Sequence, residues 1–127
     1  MMDIERRIFK NVLWDTIEDY TKLLHLLPSI YNDISEQYDS DLKVAKKILL
    51  FFVENNYVAL FYEDWRYPNN YFEVPKDKSL KLLIENSSWE VPTQNDLWIT
   101  VSATPKGKEL YYSDRVMDES FKVPQLF

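Results

Sequence analysis

The chain contains no cysteine, which excludes a disulfide framework, a thiol nucleophile and a thiolate metal site. Glycine occurs once in 127 residues, where average usage would give roughly nine. Phosphate-cradling loops need glycines for close backbone approach, so that class of nucleotide site is disfavoured. Histidine also occurs once. His25 lies among Leu23, Leu24, Leu26 and Leu27, and that setting reads as a helix-face residue rather than a general base or metal ligand. No apolar run approaches the length that spans a bilayer. The start, MMDIERRIFK, lacks the basic end and apolar block of a secretory signal. The expectation is a cytoplasmic protein with no membrane partner.

Basic residues are the scarcer charge. The net charge is −6, and residues 1–41 carry nine acids against four bases. The balance is three against four in residues 42–66 and nine against seven in residues 67–127. An acidic first third disfavours nucleic acid and favours a basic partner. Hydrophobic content of 46% with 28% charged residues fits a folded globular chain. The length suits one domain over 1–127, with amino-terminal helices in 1–41, a core in 42–113 and a tail in 114–127.

The densest apolar run is Leu42–Asp64. At helical spacing Leu42, Ala45, Leu49, Phe52 and Val53 share one face, widened by Val44, Ile48 and Phe51. Lys43, Lys46, Lys47 and Glu54 leave only a narrow polar strip, interrupted by Leu50. Asn55 and Asn56 supply the stop, since asparagine tolerates the left-handed conformation. Val58, Leu60 and Tyr62 then alternate with Ala59 and Phe61 as a strand. This segment predicts a buried helix feeding a strand.

Around it, residues 3–27 carry a helical pattern through Ile4, Ile8, Val12, Ile17, Tyr20, Leu24 and Leu27. Asp15 followed by Glu18 resembles a capping box, which allows a break there. Pro28 ends or kinks the stretch. Ser29–Tyr38 reads as a short helix, and Asp39-Ser40-Asp41 as a turn that caps the central one. WRYPNNYFEVP reads as a loop. Lys76–Asn86 reads as a helix burying Leu80, Leu83 and Ile84, and Ser87–Asp96 as another loop. Leu97–Ala103 alternates again and predicts an antiparallel partner for Val58–Tyr62. After it, Thr104 and Pro105 signal a helix start. Lys108–Ser113 continues that helix, or a β-turn leads to a third strand, KELYY; the helix is preferred. Phe121, Val123, Leu126 and Phe127 suggest that the tail docks on the body.

In layout, residues 42–62 and 97–112 resemble the winged-helix arrangement of MarR- and PadR-type regulators. There an apolar helix runs into a strand, and a T-x-x-G step, here Thr104 to Gly107, marks the exit from the wing. The resemblance implies an α+β fold, a mostly helical bundle with a small antiparallel sheet and an enlarged, helix-containing wing. About 34 residues separate the two strands, far more than an ordinary hairpin loop. It also implies a DNA-binding regulator whose groove helix would present Lys43, Lys46 and Lys47, dimeric through the amino-terminal helices. The strip has no arginine, glutamine or asparagine to read base edges, and Glu63 and Asp64 would face phosphate repulsively. A solvated helix face is the preferred reading of these lysines.

No catalytic, cofactor or metal constellation emerges. Glu63 and Asp64 are adjacent on a strand end and point apart, unlike a hydrolytic carboxylate pair. Asp39 and Asp41 lack the glycine turn and terminal glutamate of a calcium loop. The remaining signal is aromatic: Trp65, Tyr67, Tyr71, Phe72, Trp89 and Trp98 lie in or beside the long insertion. They either seal a second small core or anchor a partner, with Glu63, Asp64 and Glu73 around them. The sequence therefore predicts no enzyme. It predicts a non-catalytic protein-binding module, similar in kind to the immunity proteins and antitoxins that mask basic partners, with partner contacts at Glu63, Asp64, Trp65, Tyr67, Tyr71, Phe72 and Glu73.

Overall fold

A computed structural model of the chain describes residues 2–17, 20–27, 41–64, 66–67, 70–92 and 97–126. The Ser29–Tyr38 helix, the Asp39-Ser40 turn, Pro28 and Trp65 lie outside them. Asp41 opens a helix, but its side chain also lies outside them. The fold is α+β. Helix α1 (Met2–Ile17) is followed by strand β1 (Thr21–Lys22), a 3-10 turn (Leu23–Leu26), helix α2 (Asp41–Glu54) and strand β2 (Val58–Glu63). Strand β3 (Tyr71–Glu73), helix α3 (Lys76–Ile84), a 3-10 turn (Asn86–Trp89), strand β4 (Trp98–Ala103), helix α4 (Pro105–Tyr112) and a last 3-10 turn (Arg115–Met117) complete it.

Helix α2 is the centre of the core. Val44, Ala45, Ile48, Leu49, Phe52 and Val53 are all buried. Phe9 of α1 meets Phe51 and Phe52 edge-on at 5.6 and 5.7 Å, and Phe121 of the tail reaches Phe51 at 6.1 Å. The tail does dock: Leu126 is buried and its N–H donates to Glu5 Oε2 at 2.8 Å. Asn56 ends the helix segment with φ 63, and the chain enters β2 at once. Burying a chain of large apolar residues is the main stabilising contribution here.

The four strands form one antiparallel sheet in the order β1-β4-β2-β3. Val58 lies opposite Ala103, and Glu63 opposite Trp98. This is the pairing the alternating patterns predict, across the long insertion. Beyond β4, Thr104 Oγ1 accepts from the Gly107 N–H at 3.1 Å, and the helix, not a strand, follows.

Four expectations need correction. The helical pattern over 3–27 is interrupted after Ile17, where Asp15 and Glu18 allowed a break, and a strand follows. Thr21 then donates through Oγ1 to the Asp15 carbonyl at 2.6 Å, and Thr21–Lys22 pairs with β4, so ladder bonds outweigh the helical pattern. WRYPNNYFEVP is not all loop, because Tyr71–Glu73 adds β3 to the sheet. The next helix ends at Ile84, which is exposed; Trp89, buried, takes the apolar position and donates through Nε1 to the Leu83 carbonyl at 3.0 Å. The loop expected over Ser87–Asp96 opens as that 3-10 turn, and residues 93–96 lie outside the described set.

Candidate interaction surface

Side chains alternate across a strand, so direct partners share a face. Val58, Leu60 and Val101 point into the core beneath α2. The other face carries Ala59, Phe61 and Glu63 of β2, Trp98, Thr100 and Ser102 of β4, Tyr71 and Glu73 of β3, and Lys22 of β1. Phe61, Tyr71, Trp98 and the adjoining Tyr20 stand outside the core cluster. Tyr20 stacks on Tyr71 at 3.8 Å and meets Phe61 edge-on at 4.9 Å. These rings form a half-covered aromatic platform, the composition favoured at the centre of protein interfaces.

Acids border the platform. Glu63 pairs with Lys22 at 3.6 Å, and the same ammonium lies 5.0 Å from the Trp98 ring. Glu73 is exposed and directly opposite Phe61. Asp64 does not belong to the surface. It is nearly buried and accepts from Arg66 through Nε at 3.0 Å, Nη2 at 2.9 Å and the main-chain N–H at 3.0 Å. The hydrogen-bonded Arg66 side chain, then its N–H, hold this carboxyl below the ordinary carboxylate value. Tyr67 is 62% exposed, with the Arg66 guanidinium 6.0 Å from its ring. Phe72 is exposed but faces the opposite way, paired with Tyr62.

The predicted residues thus divide. Glu63, Tyr71 and Glu73 come together on one face, Tyr67 stands at its end, and Asp64 and Phe72 serve elsewhere. Sequence reasoning missed Tyr20, Phe61 and Lys22. Tyr20 carries a helical period in the sequence and Lys22 lies inside that stretch, and only the pairing of β1 with β4 brings them here.

The lysine strip of α2 has internal partners. Lys46 Nζ donates to the Ile84 carbonyl at 2.6 Å and to Asn86 Oδ1, closing the end of α3. Lys47 Nζ reaches the Leu126 carbonyl at 3.4 Å. Lys43 is exposed. His25 is exposed on its 3-10 turn.

A groove of about 480 Å³ opens between α3 and the start of β4, lined by Tyr62, Lys78, Leu82, Glu85, Glu90 and Ile99 among others. Among the described residues, no three His, Cys, Asp or Glu side chains lie close enough to hold a metal ion, and no helix is long and apolar enough to cross a membrane. No family model, no curated protein and no solved structure matches this chain.

Proposed function

We propose that this protein is a non-catalytic binding module that masks a basic protein partner, in the manner of a toxin-neutralising immunity protein or antitoxin. One observation carries the reading. Four rings, Tyr20, Phe61, Tyr71 and Trp98, are arranged on a sheet face outside the core, with Glu63 and Glu73 beside them. Aromatic anchors within an acidic rim suit a basic partner, with electrostatics setting approach and the rings setting residence. A net charge of −6 supports the same sign of attraction at longer range. The test is affinity capture from the native organism with wild type and with Tyr71→Ala. Recovery of a basic protein by wild type, reduced with the variant, supports the reading; recovery of acidic proteins or nucleic acid alone opposes it.

The second reading is a winged-helix DNA-binding regulator. The order helix, strand, apolar helix, strand, insertion, strand favours it, with the first and last of those strands adjacent in the sheet. Against it stand Lys46 and Lys47, whose ammonium groups serve α3 and the tail. Of the three strip lysines, only Lys43 has no partner among the described residues, and one lysine is far short of a phosphate footprint. Gel-shift titration against salt separates the two readings: tight binding with a steep salt slope supports the regulator.

A further inference from the structure

Acid-and-ring corners recur on this chain, and the chain fills most of them itself. Glu63 and Trp98 share the Lys22 ammonium, 3.6 Å from the carboxylate and 5.0 Å from the ring. Asp114 and Tyr111 share Lys10, which pairs with the acid and lies 5.3 Å from the ring. In each case one cation satisfies a carboxylate and an aromatic face together.

The Glu73–Phe61 corner repeats that arrangement, and among the described residues no cation fills it. The two residues are direct cross-strand partners, which sets their Cβ atoms about 5 Å apart on one face. Glu73 is exposed and, among the described residues, has no ion pair. Phe61 is half-buried, braced edge-on by Tyr20 at 4.9 Å, and Tyr71, two residues from Glu73, extends the same face. A bound cation here would meet a fixed ring and an uncompensated carboxylate.

We propose that this corner binds an arginine side chain of the partner protein. A planar guanidinium can stack on the face of the Phe61 ring while its fork pairs with both Glu73 oxygens, which an ammonium cannot do. The proposal rests on the basic-partner reading above and gives it a location and a residue type.

The test is a ¹H–¹⁵N NMR titration of the full chain with the blocked peptide acetyl-Gly-Arg-Gly-Arg-Gly-amide and its lysine and glutamate counterparts. The expected result is saturable shifts at Phe61, Tyr71 and Glu73, with arginine binding several-fold tighter than lysine and glutamate not at all. Glu73→Gln should weaken arginine binding about fivefold, while Glu109→Gln, at an exposed position of α4, should leave it unchanged. Glu73 is exposed, so the variant keeps the fold. Saturable shifts confined to another surface, or a Glu73→Gln variant that binds like wild type, overturn the assignment and leave the basic-partner reading standing. No saturable shift anywhere overturns both.

Discussion

The Arg6 guanidinium donates to the main-chain carbonyl of Phe121 at 2.6 Å, across 115 positions of sequence. The same group reaches the Val116 carbonyl at 3.1 Å and the Glu119 carbonyl at 3.4 Å. Arg6 is 3% exposed, so a buried charge is stabilised by main-chain carbonyl dipoles, with a weaker coulombic attraction to Asp118. The tail is thereby tied to the first helix from inside.

Removing that group should loosen the tail first. Arg6→Met keeps most of the stem volume but leaves the Val116 and Phe121 carbonyls without their donor. Hydrogen bonds to charged groups contribute about 1.5–3 kcal/mol each, and not additively. A loss of about 2–4 kcal/mol is expected on that basis, read by urea unfolding. Amide exchange should quicken in residues 115–126 more than in β2 or β4; uniform quickening would contradict this account.

The sole glycine is the next position to test. A Cβ on Gly107 would sit 1.9 Å from the Tyr57 carbonyl oxygen and 2.9 Å from its carbon. That carbonyl also accepts from the Thr104 N–H at 3.0 Å, so it is held in place. Gly107→Ala must push α4 away from the α2–β2 corner, at a cost of about 3 kcal/mol or more. Thr104→Ala loses the cap to Gly107 and the bond to the Asn56 carbonyl, worth about 1–2 kcal/mol. Thermal unfolding should therefore rank wild type above Thr104→Ala, and Thr104→Ala above Gly107→Ala.

The corner that these residues build was legible in the sequence. Leu42–Tyr62 and Leu97–Ala103 carry strong periods, and Asn56 and Thr104 are local stop and start signals, so α2, β2, β4 and α4 could be placed. Strands β1 and β3 could not. They have two and three residues, too short for a period to declare itself; β1 exists through bonds to β4, distant in sequence, and β3 by folding back onto β2 across a proline- and asparagine-rich stretch that reads as loop. The surface inherits that gap. Glu63, Tyr71 and Glu73 were visible as acids and rings near one another, but only the β2–β3 register decides that Phe72 points away and Phe61 points in.

Asn56 tests the corner from the backbone side. Its φ of 63 costs an ordinary side chain about 1–2 kcal/mol. Its carboxamide oxygen also accepts from Lys76 Nζ at 3.2 Å, an exposed contact of small value. Asn56→Gly should leave stability within about 0.5 kcal/mol of wild type, and Asn56→Ala should lose about 1 kcal/mol. Equal losses would mean that the lysine contact, and not the left-handed turn, matters.

The Asp64–Arg66 clasp supplies a pH signature. Hydrogen bonding from the Arg66 side chain and N–H lowers the Asp64 pKa below its ordinary value, and the same pairing raises that of Arg66. A depressed folded-state pKa means the folded protein binds that proton less readily than the unfolded chain. The stabilisation is therefore fully present above the unfolded carboxylate value, about 3.9, and is lost as pH falls through the lower folded one. Unfolding of Asp64→Asn should differ from wild type by a constant amount above about pH 5. The difference should shrink progressively as the medium is acidified below about pH 4. Carboxyl ¹³C titration should place Asp64 below the free aspartate value in wild type and move it up toward that value in Arg66→Ala, where only the main-chain N–H bond remains. An Asp64 resonance that titrates alike in both proteins would remove the clasp as the cause, and with it the acid-sensitive hold on the end of β2 beside Glu63.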